Sequence, residues 1–290
     1  MNINLLKNPE AIKKQEMKIL INSPSSISAT HTASYLEKLG CIVNIDDTII
    51  NFNDFNDFKN FSKDFSKKIK NSNYDIGILI NDNGEKITLF DENGNVIGGD
   101  KYTVLCALIV LKAKNVSKLI VPYTATKALE TLAQQYNVQI FRSKSSVSEL
   151  MNEMLRNSTE DTAYYNQYAL SFDGISACGH IIEFLTMQSI SISDLINEIP
   201  DFHIKKNELK CDFESRGYII RKLIEECEEE NLELFEGVKI NFDNGWYLVI
   251  PDNEQPIFNI YTEGYTEEYA DELFDIASKK IQYLIDNKKQ

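Results

Sequence analysis

The sequence predicts an α/β protein: two consecutive α/β segments with mixed sheets, then a small α+β segment whose antiparallel sheet carries two helices. Short apolar runs alternate with helix-length segments between Met17 and Arg156, which favours strand–helix–strand units. Beyond residue 205 the strands are instead gathered between two helices, and Gly, Asn, Asp and Pro punctuate both patterns.

MKILINS (Met17–Ser23) reads as a strand. Ser25 or Ser26 can cap a helix running to Gly40, with Ile27, Ala33, Leu36 and Leu39 on one face. CIVNI (Cys41–Ile45) is a second strand. From Phe52 to Lys70, Phe52, Phe55, Phe58, Phe61 and Phe65 recur at helical spacing, the mark of an amphipathic helix burying aromatics rather than of a surface that stacks bases. IGILI and KITLF read as strands flanking the polar loop Asn81–Lys86. After them come an apolar helix (Tyr102–Lys114), a strand (Leu119–Tyr123), a helix (Thr124–Tyr136), the strand VQIFR and a helix (Val147–Arg156). The tyrosine-bearing stretch Asn157–Phe172 reads as a loop leading into a helix from Asp173, with another near Ser193 closed by Pro200. Last come a helix containing Arg216–Glu230, the strands GVKINF, WYLVI and IFNIYTEG, and a helix from Thr266 to about Asp286.

Charge and composition exclude several functions. Thirty basic against 44 acidic residues give a formal charge of -14, which repels nucleic acid and anionic membranes, whereas a small phosphate needs only one local pocket. No apolar run approaches the roughly 20 residues that span a bilayer, and MNINLLKNPEAIKKQE lacks the apolar core of a secretory signal, so the expected location is cytoplasmic. Five scattered cysteines without a CxxC indicate reduced thiols, not zinc or disulfides.

The loop Asn81-Asp82-Asn83-Gly84-Glu85-Lys86 carries the first chemical signal. Alternate residues of an extended loop deliver side chains to one side, and Mg2+ wants carboxylates there. Here the positions hold Asn81, Asn83 and Glu85, so any Mg2+ binding is expected to be weak; the turn preferences of Asn, Asp and Gly explain the same residues. With its DIGI and DENG neighbours, this run resembles the metal loop in the second domain of the phosphohexomutases, the phosphomannomutase and phosphoglucomutase family. There three alternate Asp residues precede an Arg, the position of Lys86. Val238–Gly264 is similar to the family's fourth domain, in which Ile250, Pro251, Asp252, Asn253, Glu254, Gln255 and Pro256 stand where a phosphate-gripping Arg-Pro-Ser-Gly-Thr-Glu-Pro loop is expected. Both prolines are kept, but two carboxylates replace the groups that would hold a dianion.

FRSKSSVSEL resembles a family turn with a functional lysine, whose spacing points to Ser148; Arg142 and Lys144 lie beside it. The family's sugar-recognition loop should fall within Asn157–Phe172, where no Gly-Glu pair occurs. Cys178-Gly179-His180 imitates that loop's ending but lies inside a predicted helix, so neither a Cys-His pair nor a sugar contact is expected.

The resemblance implies three segments, 1–97, 98–204 and 205–290, equivalent to domains two to four; the family's phosphoserine-bearing first domain has no counterpart among them. Metal positions would be Asn81, Asn83 and Glu85, and substrate positions Lys86, Arg142, Lys144, Asp252, Asn253 and Glu254, with no catalytic residue and no required cofactor. A closer likeness, in IVPYTA, CDFESRGYIIRKLIEE and GWYLVIPDNEQPIFNIYTEG, points to the mutase-like region of bacterial mannose-1-phosphate guanylyltransferase fusion proteins. The chain is then expected to be a non-catalytic module beside a nucleotidyltransferase domain or subunit. The alternatives are part of an active mutase, an isomerase of carbohydrate metabolism, or a sensor of a sugar phosphate.

Overall fold

A computed structural model of the chain describes residues 6–52, 54–113, 116–158 and 162–288. They gather into two compact units. One comprises residues up to Leu119 with Glu130–Ile140 and Met151–Pro200; the other comprises Ile120–Leu129, Phe141–Leu150 and Asp201 onward.

The first unit opens with α1 (Pro9–Gln15), β1 (Lys18–Asn22), α2 (Ser26–Lys38), β2 (Ile42–Ile45), α3 (Phe55–Asn71), β3 (Ile76–Ile80), β4 (Ile87–Phe90), β5 (Val96–Ile97) and α4 (Gly99–Lys112). Its five strands form one mixed sheet in the order β2-β1-β3-β4-β5. β1 runs parallel to β2 and β3, and β4 antiparallel to β3 and β5. Every residue of β3 is buried, which is why IGILI shows no polar alternation.

Ser25 caps α2 by accepting the Ser28 N–H at 3.4 Å. Ile27 does not join the buried face; it is 69% exposed because it falls off the stripe of Ala29, Thr32, Ala33 and Leu36. On α3 the aromatic series runs from core to surface instead of being buried throughout. Phe65 packs edge-on against Phe90 with ring centres 4.9 Å apart, whereas Phe55 is 76% exposed.

β6 (Lys118–Pro122), α5 (Ala128–Gln135), β7 (Gln139–Ser143) and α6 (Val147–Ser158) follow, with β6 and β7 pairing as a two-stranded sheet; residues of all four elements are divided between the units. α7 (Thr162–Phe172), α8 (Gly174–Gln188) and α9 (Ile192–Ile196) complete the first unit. The stretch read as a loop before Asp173 is therefore largely helix, apart from residues 159–161, which lie outside the described residues. Thr162–Phe172 contains no Gly or Pro to break a helix. Burial of Gln167, Ala169 and Leu170, with the Tyr102 hydroxyl donating to the Leu170 carbonyl at 2.7 Å, outweighs the polar composition.

The second unit adds β8 (His203–Lys210), α10 (Phe213–Glu225), β9 (Leu232–Glu233), β10 (Val238–Phe242), β11 (Gly245–Pro251), β12 (Ile257–Gly264) and α11 (Glu267–Lys288). The sheet is wholly antiparallel in the order β8-β12-β11-β10-β9, two strands more than the sequence predicts. HIKKNELK looks too charged for a strand, yet all eight of its residues pair with β12. The helix expected to reach Glu230 ends at Glu225 and is followed by a single 3-10 turn, Glu229–Asn231.

On one face of this sheet Val238, Ile240, Val249, Phe258 and Ile260 pack with Ile219 and Leu223 of α10 and with Ala277 and Ile281 of α11. On the other, Trp246 and Leu248 pack with Tyr123. β11 is thus covered on both faces, the physical reason for the unbroken run WYLVI. This architecture is the mixed α/β plus antiparallel α+β class that the sequence predicts. Among the described residues no helix is long and apolar enough to cross a membrane.

Candidate functional site

The Asn81–Lys86 loop closes the antiparallel β3–β4 hairpin, whose last pair is Ile80 with Ile87. The loop uses its amide side chains to hold itself. Asn81 Oδ1 accepts the Lys86 N–H at 2.9 Å and Asn83 Oδ1 accepts the Glu85 N–H at 3.2 Å. Gly84 takes a φ of +77°, which only glycine adopts cheaply. Gly174, opening α8, lies so close that a Cβ there would meet the Gly84 carbonyl oxygen at 2.8 Å. The Ser28 hydroxyl donates to the Asp82 carbonyl. Asn81 is half-buried, while Asn83, Glu85 and Lys86 are exposed. The donor set is therefore one carboxylate and two amide oxygens already accepting N–H groups, a poor match for the carboxylate-rich oxygen shell of Mg2+. Among the described residues no group of three or more His, Cys, Asp or Glu side chains is placed to hold a metal.

The loop between β11 and β12 belongs to the second unit and is built more firmly. One oxygen of Asp252 accepts the N–H groups of both Glu254 and Gln255 at 2.9 Å, and the other accepts the Asn259 amide at 3.2 Å. The N–H of Gln255, then that of Glu254, hold the Asp252 carboxyl below its ordinary value by stabilising the ionised form. From α10 the buried Arg216 guanidinium donates to the carbonyls of Asp252 and Gln255 and lies 4.1 Å from the Phe213 ring centre. A carboxylate thus sits on the loop's N–H groups, where an external anion would have to sit. Asn253 and Glu254 point no basic group there and are exposed.

Arg142 is spent on the main chain. Its guanidinium donates to the carbonyls of Pro122, Tyr123, Ala125 and Thr126 at 2.8–3.3 Å, shaping the turn after β6. Lys144 and Ser148 are exposed on the same unit. Within α8, Cys178 donates to the Gly174 carbonyl at 3.1 Å and burial pushes its thiol well up, so it is no nucleophile. Burial likewise pushes the His180 imidazole down, and among the described residues its buried Nε2 has no hydrogen-bond partner.

A polar cluster that sequence reasoning missed lies around Glu263, which is 8% exposed. Its carboxylate accepts from Trp246 Nε1 at 2.6 Å, from the Lys127 N–H at 3.0 Å and from the Thr126 hydroxyl. Beside it the buried Lys239 ammonium lies 4.5 Å from the Trp246 ring centre, 5.0 Å from that of Tyr123 and 4.0 Å from Glu233. Rings and carboxylate compensate a charge whose unaided burial costs several kcal/mol. The one signal was parity: Lys239 and Glu263 sit on strands whose neighbours face a core on both sides. All these groups hold the turn after β6 against the second sheet, so the cluster is structural.

No family model matches the chain. It is 24% identical over 289 residues to the phosphoglucomutase/phosphomannomutase of Thermococcus kodakarensis, covering 94% of this chain and 62% of that one. With the phosphoglucosamine mutase of Methanocaldococcus jannaschii it shares 23% identity, covering 96% of this chain and 66% of the relative. Among solved structures, a phosphoglucomutase/phosphomannomutase family protein of Burkholderia thailandensis superposes with a TM-score of 0.73 at 16% identity, over 96% of this chain and 64% of that one. The N-acetylphosphoglucosamine mutase of Aspergillus fumigatus gives 0.63 at 10% identity, over 97% and 65%. The chain spans less than two thirds of the length of the Thermococcus relative and of these two solved proteins. Along nearly its whole length the chain is thus similar in sequence to phosphohexomutases, and it shares their fold.

Proposed function

We propose that this chain is a phosphohexomutase-fold module of carbohydrate metabolism that does not itself move phosphate. One observation carries the reading: at both loops where the family's chemistry is expected, the side chains of Asn81, Asn83 and Asp252 are engaged by the chain's own backbone. Asp252 occupies the N–H groups of Glu254 and Gln255, and the Asn81 and Asn83 amides occupy those of Lys86 and Glu85. Phosphoryl transfer depends on positioned cations and charge compensation, and an anionic loop with one exposed carboxylate at the metal positions supplies neither. The three-segment division at 97/98 and 204/205 belongs to this proposal, as does a structural or regulatory role beside a nucleotidyltransferase. The test is conversion of glucose 1-phosphate or mannose 1-phosphate with Mg2+ and glucose 1,6-bisphosphate. No turnover and no shift in Tm with either ligand are expected; saturable turnover contradicts the reading.

A second reading, part of an active mutase, is favoured by the alignment of mutase-named relatives over 94% of this chain. It requires Asn81, Asn83 and Glu85 to hold Mg2+, and Lys86 and Lys144 to meet a sugar phosphate. Loss of turnover on Glu85→Gln is the result that separates it from the first.

A further inference from the structure

We propose that the β2 edge and the grooves beside it dock an extended, basic segment of a partner polypeptide. This goes beyond the functional reading above and does not depend on it. β2 ends the first sheet, with no strand beyond it among the described residues. Ile42 and Asp46 donate their N–H groups inward to the Met17 and Ile21 carbonyls at 2.9 and 2.8 Å, so strand alternation turns the main-chain groups of Val43 and Ile45 outward. Edges of this kind are ordinarily blunted by Lys or Pro, and IVNI contains neither. Apolar side chains lie beside this edge: Ile45 is 41% exposed, Ile49 88% and Phe52 39%, all three lining the grooves, and Phe55 is 76% exposed.

Charge selects the occupant. The two grooves beside this edge adjoin at Asp46, Thr48 and Lys68, and their walls carry five carboxylates, Glu37, Asp46, Asp47, Asp57 and Asp64, against one lysine. That lysine, Lys68, pairs with Asp46 at 2.6 Å, and Asp64 pairs with Lys67 at 3.0 Å, so the net charge is smaller than the wall count but remains negative. A second copy of this chain would set the same carboxylates against one another, and nucleic acid is repelled more strongly still. A basic strand satisfies every feature at once. Its backbone pairs with Val43 and Ile45, its apolar side chains cover Ile49, Phe52 and Phe55, and its ammonium or guanidinium groups meet the carboxylates.

The test is fluorescence anisotropy with a labelled heptapeptide alternating Val or Ile with Lys or Arg. We expect saturable binding at about 20 mM salt, weakened at least several-fold at about 300 mM. Replacing Lys and Arg by Glu, or methylating alternate backbone nitrogens of the peptide, should abolish it. Ile45→Asp with Ile49→Asp should weaken it at least about tenfold, that is by roughly 1.4 kcal/mol. Phe55→Ala, at a position exposed enough to leave folding intact, gives an independent second variant. Equal binding of the acidic or methylated peptide overturns the proposal. So does unchanged binding by both variants, or a dimer of this chain that dissociates on Ile45→Asp.

Discussion

The loops at 81–86 and 252–256 join antiparallel strands by the same device and differ in how firmly they use it. In the first, neutral amides accept one N–H each, and the loop rests on glycine geometry at Gly84 and the close approach of Gly174. In the second, an ionised carboxylate accepts two N–H groups while a buried guanidinium holds two carbonyls of the same turn. Charge-assisted bonds are about twice as strong as neutral ones, so the second loop is the stiffer. A loop's path can outlast its chemistry when the chain supplies from within the polar partners a ligand would have supplied.

Arg216→Met tests the firmer loop hardest. It strands the carbonyls of Asp252 and Gln255 and should cost about 3 kcal/mol in urea unfolding of the second unit. A cost under about 1 kcal/mol would show that the guanidinium does not hold the turn. Gly174→Ala probes the lighter loop at its support. A Cβ 2.8 Å from the Gly84 carbonyl forces a backbone shift, with an expected loss of about 2 kcal/mol. Asn81→Ala removes one neutral bond and should cost about 1 kcal/mol, and Asn83→Ala, with a longer bond, less.

Asp252→Asn distinguishes the loops by pH. Because the folded carboxyl titrates below its ordinary 3.8, its stabilisation is present above pH 3.8 and is lost as pH falls through the lowered value. The variant should lack that acid-side slope in the second unit's stability, whereas Asn81→Ala should keep it. His180 supplies a similar slope in the first unit. Its folded value lies below the ordinary 6.5, so stability is full above pH 6.5 and declines as pH falls toward the lowered value; His180→Gln should flatten that decline.

Periodicity made most elements legible: the Ser25-capped helix, the β3–β4 hairpin and the long final helix all leave local signals. β8 escaped because its register is dictated by pairing with β12, not by its own apolar content, and α7 because burial overrode a polar, tyrosine-rich composition. The positions of both loops were readable from Asn, Gly, Asp and Pro spacing. Which acceptor holds which N–H was not, since the carboxylate of Asp252 and the guanidinium of Arg216 converge across 36 residues of sequence. Nor could sequence show that Ile120–Leu129 and Phe141–Leu150 join the C-terminal unit, because the contacts that tie them there, Thr126 with Glu263, Tyr123 with Glu233 and Ser145 with Glu236, lie far apart in sequence.

The central claim is that both loops are satisfied from within, and the most direct measurement is a 31P NMR titration of glucose 1,6-bisphosphate in the presence of Mg2+. The account predicts no saturable perturbation at millimolar ligand for the natural chain. Binding tighter than about 1 mM, roughly -4 kcal/mol, that disappears on Glu85→Gln or Lys144→Ala would contradict it.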